Sequence, residues 1–290
     1  MGLLTLLTLR QNLSRILTNA EMDGNFSTLA NAIDAVAGRN RIINGGFNIN
    51  QRVVSGTVTL AAGAYGHDRW KAGASGCTYT FASSNGLTTL TITAGSLQQV
   101  IEDVNVPTGI NTLVMSWTGT AQGKIGAGSN GTSGVTASVS GGANLTVEFG
   151  TGTLAKVQLE VGSVPTAFEM RFQGTELSLC QRYFEKSNLI DVAPGTATAS
   201  GALHVKTQAT DSYYVFTPVW FKVTKRALPT FTAYSAGTGA AGFARNVSNN
   251  TEIPVLQDAI GDNSAGFYVN NTSVVAFSEM SLHWTASAEL

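Results

Sequence analysis

Charge is what this chain has least of. Asp, Glu, Lys and Arg make up 12% of its 290 residues, about half the roughly 25% usual in globular domains. The net charge is −1 and no basic block occurs, which removes the electrostatic footprint of a nucleic-acid binder. There is no run of about 18 apolar residues, so no membrane-spanning helix and no membrane insertion are expected. The opening Met1-Gly2-Leu3-Leu4-Thr5-Leu6-Leu7 lacks the basic region and small-residue cleavage site of a secretory signal. It also carries Leu6 where a myristoylation motif needs Ser or Thr. Cysteine is scarce too: Cys77 and Cys180 are read as free thiols in or near strands rather than as one bridge. The three histidines, His67, His204 and His283, fall in no H-x-x-x-H arrangement, and there is no C-x-x-C or carboxylate-rich calcium loop. No metal and no cofactor are therefore expected.

What the chain does have is glycine, 32 of them, many Ser and Thr, and a hydrophobic share of 43%. That mixture builds short strands and tight turns around real cores, and the length suits about two domains.

Residues 1–38 are the one part read as clearly helical. Leu6, Leu9, Leu13 and Ile16 follow a 3-4-3 spacing, and then the phase breaks. Thr18-Asn19-Ala20-Glu21 has the form of a capping box, in which hydroxyl and carboxylate satisfy the orphan amides of a new helix start. Met22, Phe26, Leu29, Ile33 and Val36 then repeat at 4-3-4-3, and Gly38 is a suitable stop. Two short helices with a kink follow. So narrow a seam packs either on its own β domain or on copies of itself. Two heptads alone make only a marginal coiled coil.

From about residue 40 the period becomes two. Leu113/Met115/Trp117, Leu145/Val147/Phe149 and Val157/Leu159/Val161 each alternate with more polar neighbours, as half-buried strands do. Asn85-Gly86 and Asn130-Gly131 read as turns. The Gly- and Ser-rich stretch 119–142 reads as a long exposed loop or irregular hairpin. Later strands are read at Leu203–Val205, within Tyr213–Val223, at Phe231–Tyr234, at Phe267–Val269, and within Val274–Trp284. Pro229 and Pro254 are placed at strand starts or edges. The fold class is therefore mainly β: short N-terminal helices (1–38), a jelly-roll β-sandwich (39–173) and a second C-terminal β-sandwich domain (174–290).

Two phrases bracket the middle region. One is R-N-R-I-I-N-G-G-F-N-I-N-Q-R from Arg39, followed by H-D-R-W ending at Trp70. The other runs V-Q-L-E-V-G-S-V-P-T-A-F-E-M-R-F-Q-G-T-E-L-S-L-C-Q-R-Y-F-E-K-S from Val157 to Ser187. Together they resemble a module of tail-fibre, spike and collar-type proteins of tailed bacteriophages. The phrase from Leu17 to Phe26 is similar to one near the N-terminus of such fibres. Arg226-Ala227-Leu228-Pro229-Thr230 and the closing H-W-T-A-S-A-E-L are similar to segments of their C-terminal domain. The resemblance implies a virion location, a homotrimer, and attachment to other virion proteins through the N-terminus. It also implies a jelly roll similar to carbohydrate-binding modules and adhesion to bacterial cell-surface glycan. A collar, neck or head-decoration fibre without a receptor, or a polysaccharide depolymerase, are the alternatives.

Oligomerisation is assigned to Met22, Phe26, Leu29, Ile33 and Val36. Glycan rings are held by exposed aromatic faces, and Tyr65, Tyr213, Tyr214 and Tyr234 are the candidates, with Trp117, Trp220 and Trp284 read as core. The loops 191–200, 235–250 and 257–266 are the first places to look. No catalytic residues are assigned. His67 and Asp68 are neighbours that point apart in a strand, as do Glu102 and Asp103, so neither makes a facing pair for glycoside cleavage. Asp68-Arg69-Trp70 reads as a packing and hydrogen-bond anchor.

Overall fold

The computed structural model describes residues 15–34, 38–206, 213–215, 218–270 and 278–290, with the side chains of 28–34, 213–215 and 269–270 outside that description. The predicted helix at Leu6–Ile16 lies outside the described residues up to position 14. The predicted second helix is present as α1, Asn19–Asp34. It starts where the capping box predicts. Thr18 N–H donates to Glu21 Oε2 at 2.8 Å, and Glu21 N–H donates to Thr18 Oγ1 at 3.2 Å.

The chain is mainly β, in two antiparallel sheets. The first holds β1 (Val58–Leu60), β2 (Lys71–Ser84), β3 (Leu87–Ile101), β4 (Ile110–Thr118), β5 (Gly123–Ile125), β6 (Val135–Ser140), β7 (Leu145–Phe149) and β8 (Gly152–Val161). It folds on itself through β8, whose Gly152–Leu154 pairs with β3 while Ala155–Val161 pairs with β4. Lys156, at φ +52°, sits at that changeover. The layers enclose a core of Trp70, Tyr79, Leu90, Met115, Trp117, Phe149, Val157 and Leu159, all under 9% exposed. Trp117 meets Phe149 edge-on at 5.1 Å between ring centroids, and Trp70 lies 6.0 Å from the same ring. The β2–β3 hairpin closes through Asn85 (φ +51°) and Gly86 (φ +74°), the left-handed pair that the Asn-Gly signal predicts.

Two readings of this half change. Asn130-Gly131 closes no tight hairpin; Gly131 instead bridges Gly123 across a loop. The stretch 119–142 is not simply an exposed loop, because it contains β5, which pairs with β7, and β6, which pairs with β4. β5 has only three residues, and β6 alternates the small apolar Val135, Ala137 and Val139 with Thr and Ser, a weaker contrast than that of the Leu-, Met- and Trp-bearing strands.

The second sheet holds β9 (Phe184–Lys186), β10 (Leu203–Lys206), β11 (Tyr213–Val215), β12 (Val219–Trp220), β13 (Thr230–Ser235), β14 (Phe243–Asn246), β15 (Thr251–Asp258), β16 (Ser264–Asn270) and β17 (Glu279–Ser287). β17 is its centre and pairs with β9, β10, β13 and β14. Met280, Leu282 and Trp284 face the core, and Ser281, His283 and Thr285 on the other face are buried as well. Pro254 stands inside β15, not at its start. Thr251–Pro254 pairs with β14 and Val255–Asp258 with β16, so the residue without an N–H falls where the strand changes partner. β14 falls inside 235–250, a stretch the sequence presents as loop.

Between the sheets lies a second helix, α2 (Gln173–Gln181), in a junction that shows no helical period. Its last turn buries Cys180 fully; Cys77 and Cys180 are both free thiols. Among the described residues no helix is long and apolar enough to cross a membrane.

Candidate functional site

The bracket phrases come together at the junction of the two sheets, and hydrogen bonds between them are dense. Asn40 Nδ2–H donates to Val157 O at 3.2 Å, while its Oδ1 accepts from Leu159 N–H at 3.1 Å. Arg41 N–H donates to Leu159 O and Val157 N–H to Gly45 O. A Cβ on Gly45 would collide with Val157 O, so only glycine permits this approach. Glu169 accepts from the N–H groups of Gly38 and Asn40 at 2.7 and 2.8 Å. Arg171 donates to the carbonyls of Asn40 and Ile42 and pairs with Glu176, whose carboxylate also accepts from Asn44 N–H. Asn44, Phe47, Val53 and Arg69 all have φ between +55° and +70°. Such backbone costs about 1–3 kcal/mol each, which the surrounding bonds must offset.

Asp68-Arg69-Trp70 is the anchor expected. Trp70 Nε1–H donates to Asn44 O at 2.9 Å, and Asp68 accepts from Gln51 N–H at 2.6 Å and Gln51 Nε2–H at 2.7 Å. Arg69, 1% exposed, bonds Glu289 and Val100 O and lies 3.5 Å over the Tyr183 ring. Glu102 accepts from Arg182 and from the Tyr183 hydroxyl at 2.9 Å. His67 turns to Tyr79, 3.0 Å from its hydroxyl, so His67 and Asp68 serve separate sites.

Burial pulls the His67 pKa down to about 4, and burial also lowers His283. A histidine that must charge on unfolding stabilises the fold above its unfolded pKa near 6.5, and that stability is lost as pH falls toward the folded value. Asp68, pushed up by burial, works in the opposite sense over part of the window. The His67→Gln variant should therefore lose less stability than the parent between pH 6.5 and 4. The expected difference, about 3 kcal/mol, is measurable by urea unfolding at each pH. Equal pH slopes would show that His67 does not titrate with folding.

Of the four tyrosines, Tyr65 and Tyr234 have described side chains. The Tyr65 hydroxyl donates to Leu290 O, and its ring lies 5.2 Å from the Arg52 guanidinium. Tyr213 and Tyr214 lie on β11 opposite Asn270 and Val269, their side chains outside the description. Tyr234, half-buried, lies on β13 opposite His283. Trp117 and Trp284 are core, but Trp220 is not: it is 69% exposed. In the two-residue β12, Val219 takes the inward position and period two sends Trp220 out.

Two clefts flank the segment 168–172 that leads into α2. One, of about 770 Å³, is lined by Arg41, Val104, Asn105, Glu169, Met170, Phe172 and Thr175 among others. The other, of about 570 Å³, runs along Gly45, Gly46, Asn48 and Gly86. Met170 and Phe172 line both. They are 62% and 88% exposed, and Val104 is 75% exposed. Neither Tyr65 nor Tyr234 lines either cleft. Sequence reasoning passed over Arg41, Met170 and Phe172 because they stand inside phrases otherwise occupied with structure. Among the described residues, no group of three or more His, Cys, Asp or Glu side chains is placed to hold a metal ion.

No family model matches the chain, and no curated protein matches it. Among solved structures there is a likeness to a Paenibacillus cycloisomaltooligosaccharide glucanotransferase complexed with cycloisomaltoheptaose. It covers 81% of this chain and 46% of that one, at 10% identity and a TM-score of 0.21. The chain thus spans less than half the length of that protein, and so low a score does not establish a shared fold.

Proposed function

We propose that this is a structural fibre protein of a tailed phage. It attaches to the particle through its N-terminal segment, self-associates through α1 as a homotrimer, and touches bacterial surface glycan through its β domains. The observation that carries the reading is the state of α1. Met22 is 38% exposed, Phe26 is 70% exposed, and Ile16 just ahead of the helix is 74% exposed. A seam packed on its own β domain would hide these side chains, whereas one awaiting copies of itself leaves them outside. Leu29 and Ile33 have side chains outside the description, and Val36 lies outside the described residues altogether.

Light scattering behind a sizing column tests this. The full chain is expected at the mass of three chains, and Met22→Asp with Phe26→Asp at the mass of one. A monomeric parent would sink the fibre reading. Fluorescently labelled trimer should coat host cells; a stable trimer that coats none would favour a collar or decoration fibre instead.

A further inference from the structure

We propose that the cleft beside residues 168–172 binds an acidic sugar, a pyranose ring bearing a carboxylate, with Arg41 as its anion contact and Phe172 as its stacking face. The host-surface reading above supplies the source of such a sugar; the recognition chemistry comes from the cleft.

Three arginines line this cleft, and two are neutralised within the chain. Arg171 pairs with Glu176 at 3.3 Å and with Glu169 at 3.7 Å, and Arg182 pairs with Glu102 at 3.0 Å. Among the described residues the Arg41 side chain has no hydrogen-bond or ion-pair partner, and its Nε–H is buried. A guanidinium fork matches a planar carboxylate through two parallel bonds. The one carboxylate lining the cleft, Glu169, already accepts two backbone N–H groups. Arg41 is therefore the arginine of this lining that no carboxylate faces.

The rest of the lining suits a sugar. Phe172 holds an almost fully exposed ring at the rim, beside Met170 and Val104. Aromatic faces stack on the C–H face of a pyranose while polar side chains take its hydroxyls. Exposed Asn105 and Thr175 supply an amide and a hydroxyl. The volume, about 770 Å³, lies within the roughly 300–1,000 Å³ of small-ligand sites. With a single carboxylate, itself engaged, the cleft lacks the facing pair that glycoside cleavage uses. It is built to hold a sugar, not to cut one.

The test is calorimetric titration of the full chain with trigalacturonate and, separately, with neutral maltotriose. Trigalacturonate is expected to bind and to weaken with added salt. Arg41→Gln is expected to weaken it about tenfold or more, and Phe172→Ala to weaken it too, both with unchanged melting temperature. Equal affinity for the two sugars, or unchanged binding in Arg41→Gln, would overturn the proposal. So would a fall in solution mass for Phe172→Ala, because the cleft would then cover a second copy of the chain. If neither sugar binds but labelled protein still coats host cells, this inference fails and the adhesin reading stands. If cells are not coated either, both fail.

Discussion

Lys225→Met is expected to lower the free energy of unfolding by about 3–5 kcal/mol. Lys225 and Glu185 form a salt bridge at 2.6 Å with both side chains 0% exposed. The ammonium also donates to Gln181 O at 2.6 Å, at the end of α2, and to Val223 O at 2.9 Å. Burial pulls its pKa below the ordinary lysine value, and the Glu185 carboxylate opposes that pull. Removing the cation alone strands a buried carboxylate and two carbonyls, which is why one half of such a pair costs more to lose than both. The double variant Lys225→Met, Glu185→Leu should recover part of the loss. Recovery stops short because the Lys222 N–H, which donates to Glu185 at 3.1 Å, is then left without its acceptor. Urea unfolding of the parent, the single and the double variant decides the matter. A single variant within about 1 kcal/mol of the parent would mean the pair is not desolvated as the geometry requires.

Neither partner of that pair stood out in the sequence, and the reason is general to this chain. Alternation announces a strand only when one face is apolar and the other is not. It revealed β4 and β7, whose inward residues are Leu, Met, Trp, Val and Phe. It was silent for β14, whose FARN carries Arg and Asn, and for β15, where Pro254 falls mid-strand. The capping box at Thr18–Glu21 was legible because it is a local bond pattern, and Asn85-Gly86 because only small or Asn-type residues tolerate its dihedrals. α2 was not legible: its nine residues carry only Leu177, Leu179 and Cys180 as apolar groups, too few to trace a stripe. Trp220 was misread for want of phase, since an aromatic in a two-residue strand has no neighbours to say which face is inward. The candidate cleft was the least visible feature. What singles out Arg41 is that Arg171 and Arg182 find carboxylates and it does not, and such pairings across 80 residues, as between Arg182 and Glu102, exist only in the folded chain. The Asp68-Arg69-Trp70 anchor was legible as an anchor, but its partners were not.

Those partners make Arg69→Met the second large effect, again about 3–5 kcal/mol, with a change in the form of the transition as well. Arg69 belongs to the first half of the chain, and its guanidinium holds Glu289, carried just beyond β17, while lying over Tyr183 next to β9. Around it Arg52 bonds Glu289 at 3.1 Å, Arg226 donates to Ala288 O at 2.6 Å, and Lys71 donates to Leu290 O at 2.8 Å. Residues 288–290 thus act as a clasp that closes over the first sheet. Methionine would leave Val100 O without its 2.6 Å donor and leave the Glu289 carboxylate to Arg52 alone. The interior of each sheet would be untouched, because the core residues of the two sheets form separate clusters. The parent should therefore unfold in one transition and the variant in two, as local stability separates into cooperative units. Calorimetry reads this directly, and the four tryptophans divide it by location: Trp70 and Trp117 report on the first cluster, while Trp284, with exposed Trp220 on β12, reports on the second. Glu289→Gln, which keeps an acceptor for Arg69, should fall between parent and Arg69→Met. A single unshifted transition in Arg69→Met would mean that the clasp couples nothing, and that the bonds of Glu102 to Arg182 and Tyr183 and of Glu176 to Asn44 suffice to join the halves.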